Sequence, residues 1–211
     1  MNKQQTIYHL IVDKSGSMTN CIEQTISGVN EQFQKVQELE KKFSEQEITI
    51  GLTTFHHEVH HHFFQSSPAA VRKLNTDTYK TDGSTALLDA IGMTITTIEK
   101  VIQQDSNQSN TTVVIVILTD GHENASQIFK LQEIKNMISR LEETGKWTFS
   151  FIGATMDAVD VAESMSIKRQ NSFMFEKSNM KSGLFDKLGH SMDNYMAKKR
   201  SGGNLGDFFS E

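Results

Sequence analysis

Cysteine and proline are almost absent: 211 residues contain one of each, Cys21 and Pro68. A lone cysteine excludes an intrachain disulfide framework and fits a reducing compartment. Glycine stands at 13, too few for a collagen-like or low-complexity chain. No run approaches the ~20 apolar residues that a membrane span needs. The opening stretch, MNKQQTIYHLIVD, has an apolar run too short for a signal peptide, and Asp13 ends it at once. Positive charge is not in excess either: 21 Lys and Arg face 26 Asp and Glu, a formal net charge of −5. That balance offers no basic patch for nucleic acid. What remains is a chain with 36% hydrophobic residues, long enough for one well-buried domain. The expectation is a soluble cytoplasmic protein: one domain over residues 1–200, then a loose tail over 201–211, KKRSGGNLGDFFSE being polar and glycine-rich around it.

Apolar runs alternate with amphipathic segments along the whole chain. Thr6–Val12 reads as a buried strand. Ile22, Ile26, Val29, Phe33, Val36, Leu39 and Phe43 then fall at steps of three and four, which predicts a long helix with one apolar stripe. Glu47–Phe55 is β-branched and alternating, a strand, and Val59–Phe64 is its hairpin partner, with His57 and Glu58 near the turn. A second helix carries Leu87, Ile91, Ile95, Ile98 and Ile102. Thr111–Leu118, TTVVIVIL, is apolar almost throughout, as a central parallel strand covered on both faces must be. A third helix follows with Ile128, Leu131, Ile134, Ile138 and Leu141, and Gly145 stands where its C-terminal cap belongs. Trp147–Ile152 is a strand, Ala158–Met165 a short helix, Ser172–Phe175 an edge strand, and Leu184, Leu188, Met192 and Tyr195 mark a last helix. This alternation predicts an α/β fold: a doubly wound, mostly parallel central sheet, helices on both faces and one antiparallel edge strand.

The stretch HHEVHHHFF contains His57-Glu58-Val59-His60-His61, the H-E-x-x-H pattern of zinc metalloproteases. The pattern works on a helix, where positions i and i+4 share a face; on a strand the two His stand roughly 13 Å apart at ~3.3 Å per residue. Strand-like flanks on both sides predict a polar, solvent-facing hairpin and no protease. His60 and His62 share a strand face and leave room for an adventitious transition-metal site.

Metal chemistry gathers elsewhere. The first strand ends in Asp13-x-Ser15-x-Ser17, the central strand in Asp120-Gly121, and Thr85 sits at the mouth of the second helix. Ligands of open α/β sheets bind at the carboxyl ends of the strands, at the topological switch point. The alternate spacing 13-15-17 aims every second side chain of an extended loop at one place, and Gly16 gives that loop room to bend. Asp82 reads as a peripheral acid of this site or as a solvated turn residue, His122 and Glu123 as an exposed loop, Asp89 as a brace between loops, and Ser126 as a helix N-cap. Asn124-Ala125-Ser126 also matches a glycosylation sequon, incidental in a cytoplasmic protein.

D-x-S-x-S, a Thr ahead of a helix and a strand-final Asp, in that order, resemble the metal-ion-dependent adhesion site of von Willebrand factor A domains. TDGSTALLDAIG, ILTDGHENAS and FIGATMDAVDVA are similar to bacterial stand-alone intracellular members. The resemblance runs from Thr6 to about Tyr195. It implies Ser15 and Ser17 as direct hydroxyl ligands of a cation and Thr85 as a direct or water-mediated one. Asp13 and Asp120 would hold metal-bound waters or bind directly. An all-oxygen set favours Mg²⁺ or Mn²⁺ over zinc, and two carboxylates leave the ion electrophilic. The function implied is a non-enzymatic module whose metal takes an Asp or Glu carboxylate from a partner protein. The family's intracellular members suggest an AAA+ ATPase or a stress-response complex as partner, with neither nucleic acid nor membrane involved. The alternatives are a hydrolase using the same cation, with Glu123 as its one acid/base candidate, and a structural protein with an empty site. Against the hydrolase, the sequence has no G-x-x-x-x-G-K-[ST] phosphate loop. A tail carboxylate, Asp207, offers an internal candidate ligand for a neighbouring molecule.

Overall fold

A computed structural model describes residues 3–104, 110–175 and 183–209. In chain order the elements are β1 Gln4–Asp13, α1 Ile22–Lys42, β2 Gln46–Phe55, β3 Val59–Ser66, α2 Leu87–Gln104, β4 Thr111–Thr119, α3 Leu131–Glu143, β5 Trp147–Gly153, α4 Ala158–Ser164, β6 Ser172–Met174 and α5 Phe185–Ser201. They build one six-stranded sheet in the order β3-β2-β1-β4-β5-β6. All neighbours run parallel except β2 and β3, which form the antiparallel edge hairpin. This is the doubly wound α/β fold that the alternation predicts. No helix among the described residues is long and apolar enough to cross a membrane.

The period-2 alternation of the central strands explains the two layers of helix. Tyr8, Leu10 and Val12 of β1, with Val114, Val116 and Leu118 of β4, pack against α1 and α5 through Val29, Phe33, Val36, Leu188 and Met192. Ile7 and Ile11, with Val113, Ile115 and Ile117, turn to the other face and meet Ile91 and Ile95 of α2 and Ile134 and Ile138 of α3. Both faces of β4 are thus covered, which is why its sequence is a continuous apolar run rather than an alternating one. The chain leaves β1 toward β2 and re-enters on the other side of β1 at β4, so the order reverses between β1 and β4. Loops leaving these two strands part there, at the position where open α/β sheets bind their ligands.

Two expectations fail locally. The third helix begins at Leu131, and Ile128, expected on its apolar stripe, is 64% exposed. The backbone N–H groups of Gln127, Ile128 and Phe129 donate to Asp89 instead, so residues 127–129 are tied to α2 and cannot enter the helix. The Glu133 carboxylate accepts the Lys130 N–H and starts α3 there, which displaces Ser126 from the predicted N-cap role.

The second failure is the tail. Up to Phe209, the segment read as loose is folded against the domain. Phe208 is 1% exposed and lies in the core beside Tyr195. Its N–H donates to Asn171 Oδ1, the Asn171 amide donates to the Gly206 carbonyl, and Thr148 Oγ1 donates to the Leu205 carbonyl. Burying an aromatic side chain contributes about 2–3 kcal/mol, enough to offset ordering part of a short glycine-rich segment.

Candidate metal centre

β1 delivers Asp13 fully buried at the sheet's carboxyl edge. Its Oδ1 accepts the Ser15 N–H at 2.7 Å and its Oδ2 accepts the Thr119 hydroxyl at 2.6 Å. The Tyr79 hydroxyl donates to the Asp13 carbonyl, which holds the strand end from outside the loop. A 3₁₀ turn over Gly16–Cys21 then leads into α1, and the Gly16 N–H donates to the Gly83 carbonyl, joining this loop to the segment before α2. Ser17 Oγ donates to Asp120 Oδ1 at 2.5 Å, and Ser15 Oγ lies 3.0 Å from Ser17 Oγ. Since the Ser17 proton goes to Asp120, Ser15 is the donor in that pair. Thr85 is buried, its N–H donating to Asn124 Oδ1 while the Asn124 N–H donates to the Thr85 carbonyl.

The three loops meet around Gly121. A Cβ placed on that glycine would stand 2.9 Å from Thr85 Oγ1, 3.4 Å from Ser17 Oγ and 3.6 Å from Asp13 Oδ2. Side-chain oxygens from β1's loop and from the mouth of α2 therefore face one spot, beside the end of β4. All five predicted residues, Asp13, Ser15, Ser17, Thr85 and Asp120, belong to this constellation. Burial pushes the Asp13 carboxyl up to about 6; the Asp120 charge adds to that, while the bonds from Thr119 and Ser15 pull the other way. Two adjacent carboxylates and three hydroxyls form an oxygen-only donor set, which suits a hard divalent cation.

The surrounding residues brace the donors more heavily than the sequence suggests. Asp89 takes its expected role, accepting three backbone N–H groups of the 127–129 segment. Glu123, read as exposed, is half-buried and accepts from the N–H groups of Leu88, Ala125 and Ser126 and from the Ser126 hydroxyl. His122 is exposed, 3.7 Å from Asp157. Asp82 is an exposed turn residue that accepts the Gly83 N–H. Thr119, Asn124, Tyr79 and Gly121 are the functional neighbours that sequence reasoning missed. Thr119 and Gly121 had a signal, flanking Asp120 directly; Tyr79 had none. Asp207 accepts from Gln170 Nε2 within the folded terminal segment.

The histidine stretch is a hairpin, as the flanks predict. His57 stacks on His56 with ring centroids 4.1 Å apart, and His61 Nδ1 bonds Thr53 Oγ1. The two His of the protease pattern thus serve different neighbours. His62 is engaged by Thr54 Oγ1, so it does not join His60. His60 groups instead with His56 and Glu58.

Comparison with known proteins matches the chain to a family. The model of the von Willebrand factor type A domain matches residues 9–188. No curated protein sequence matches the chain. Among solved structures, proximal thread matrix protein 1 from the mussel byssus is similar with a TM-score of 0.58 at 16% identity, over 94% of this chain and 46% of that one. A von Willebrand factor type A protein from Catenulispora acidiphila gives 0.56 at 11% identity, over 93% and 43%. The manganese-loaded TRAP protein of Plasmodium vivax gives 0.59 at 15% identity, over 86% and 73%. At such identities the likeness is one of fold, and the chain spans less than half the length of the first two structures. The family match runs from within β1 to within α5 and takes in every member of the strand-end oxygen cluster, so this chain belongs to the von Willebrand factor type A domain family.

Proposed function

We propose that this chain is a non-enzymatic protein-binding module that holds Mg²⁺ or Mn²⁺ at a metal-ion-dependent adhesion site and uses it to capture an acidic side chain of a partner protein. The observation that carries this reading is the convergence of Thr85 Oγ1, Ser17 Oγ and Asp13 Oδ2 around Gly121. Ser15 and Ser17 supply neutral hydroxyl ligands, Thr85 a hydroxyl that engages directly or through water, and Asp13 and Asp120 the charge. Bound there, the cation supplies an electrophilic centre for one more anionic oxygen. The TRAP protein of Plasmodium vivax, similar in fold, is manganese-loaded, which supports a divalent occupant of this class.

A hydrolase needs a free base, and its candidate, Glu123, already accepts four hydrogen bonds from Leu88, Ala125 and Ser126. That supports the non-enzymatic reading. We place the module in the cytoplasm, acting on an AAA+ ATPase or a stress-response complex that presents an Asp or Glu. The test is affinity capture of partners from native lysate. Capture should fail in EDTA and recover with Mg²⁺ or Mn²⁺. It should recover less with Ca²⁺, whose bonds of ~2.3–2.6 Å suit a compact site poorly. A complex that survives both EDTA and Asp120→Ala would show that the metal is not the contact.

A further inference from the structure

The tip of the β2–β3 hairpin carries a second group of metal-ligating side chains that the adhesion site does not use. His56 directly follows β2, Glu58 stands in the turn, and His60 is the second residue of β3. One ligand atom from each lies within 4.8 Å of the other two. His60 Nε2 is buried without a hydrogen-bond partner among the described residues. It stands 3.6 Å from Glu58 Oε2, too long for a hydrogen bond. Two ligands of one tetrahedral zinc, with bonds of ~2.0–2.1 Å, stand ~3.3 Å apart, so this pair is close to the separation a shared ion requires. The His56 and His60 rings lie 5.2 Å apart with their planes at 82°, so the two imidazoles do not stack on each other.

We infer that His56, Glu58 and His60 form a separate binding site for a borderline transition ion of the zinc class, next to the oxygen site but chemically distinct from it. Two imidazole nitrogens and one carboxylate make a three-protein-ligand set with a coordination position left for solvent or a further ligand. Nitrogen donors select against Mg²⁺ and for Zn²⁺, whereas the hydroxyl and carboxylate donors around Gly121 do the reverse. The two sites therefore take different ions from one mixture. The scaffold is fixed on both sides: the His56 N–H donates to the Glu58 carbonyl and the Ala86 N–H to the His56 carbonyl. One local bond must be exchanged on loading, because His56 Nδ1 accepts the Glu58 N–H at 2.8 Å. If Nδ1 binds the ion it gives up that acceptor role; if Nε2 binds, Nδ1 takes the ring proton and gives it up equally. Lys14 places a positive charge near both rings and opposes the ion, and Glu58 supplies the compensating negative charge. The ligand spacing is H-x-E-x-H across a turn, not H-E-x-x-H along a helix.

The test is Zn²⁺ titration against a chromophoric chelator with Mg²⁺ in large excess, and Co²⁺ substitution read in the visible range. The proposal expects one equivalent of Zn²⁺ and the d–d bands of a low-coordinate Co²⁺ centre with nitrogen and oxygen ligands. His60→Gln is the decisive variant, because His56 also supports the turn. It should weaken Zn²⁺ at least ~tenfold, as should His56→Ala, while His57→Ala and His61→Ala change it less than ~threefold. Asp120→Ala should leave the Co²⁺ spectrum intact. Overturning results are the absence of a stoichiometric Zn²⁺ equivalent, a loss spread evenly over all four histidine variants, or a spectrum that disappears with Asp120→Ala. Circular dichroism of each variant confirms that the hairpin substitutions leave the fold in place.

Discussion

Asp13→Asn should make the metal-free protein more stable while abolishing its Mg²⁺ response. The folded state buries this carboxyl and raises it from 3.8 to about 6. A carboxyl raised in the fold favours its neutral form, so its contribution to stability is complete below about 3.8 and is lost as pH rises through about 6. The shift is about two units at ~1.4 kcal/mol each, so the ionised group costs the metal-free protein on the order of 3 kcal/mol at pH 7.5. Asn removes that charge with little change of shape. Its oxygen still accepts the Ser15 N–H, and its amide donates to Thr119 Oγ1. The Thr119 proton then turns to the Gly121 carbonyl, already within 3.2 Å. In EDTA at pH 7.5, urea melts should place Asp13→Asn up to about 3 kcal/mol above wild type, or about 2–4 °C in Tm per kcal/mol for a chain of this size. At pH 3.8 the two proteins should converge. Millimolar Mg²⁺ should raise the wild-type Tm, since a ligand of the folded state stabilises it by mass action, and should leave Asp13→Asn where it was. An Asp13→Asn protein less stable than wild type in EDTA, or a gap that persists at pH 3.8, would refute the argument.

Thr85→Ala should weaken partner binding more than Mn²⁺ binding, which calorimetry of each equilibrium separates; an equal loss in both contradicts the assigned role. Gly121→Ala brings a methyl group within 2.9 Å of Thr85 Oγ1 and should lower Mn²⁺ affinity roughly tenfold, with a stability change within about 1 kcal/mol by urea melt. His9 is buried and pushed down to about 3, so the fold holds it neutral; its contribution is complete above about 6.5 and is lost as pH falls toward 3. In the Asp13→Asn background, where the opposing carboxyl is gone, urea midpoints should fall steadily between pH 6.5 and 4, and His9→Gln should flatten that fall. Phe208→Ala should cost about 3–5 kcal/mol in a urea melt, as a core aromatic and not a tail residue would.

The sheet was legible because β4 has no polar face to offer: a nine-residue strand buried throughout admits only a central position between two helical layers. The donors around Gly121 were legible for a chemical reason. A hard cation accepts few side-chain types, and an extended loop exposes them at alternate positions, so identity and spacing together narrow the choice. The residues that hold the donors are under no such restriction. Asp13 is fixed by Thr119, 106 positions away, and by Tyr79, 66 positions away, and any hydroxyl arriving at those places would serve. Glu123 looked like a loop acid because nothing local distinguishes a carboxylate facing water from one facing four donors. Phe208 was missed for the same reason: its polar, glycine-rich neighbours describe the segment, whereas its partners Asn171 and Tyr195 come from elsewhere in the chain. The histidine hairpin shows the limit most clearly. Read at helical spacing, His57 and His61 are the pair; on the strand that forms, they serve different neighbours, and the turn gathers His56, Glu58 and His60. Ligand type is written in the sequence, but which ligands meet is decided by backbone geometry, so one histidine stretch spells a false site over residues 57–61 on a helix and gathers a different one from residues 56–60 across a turn.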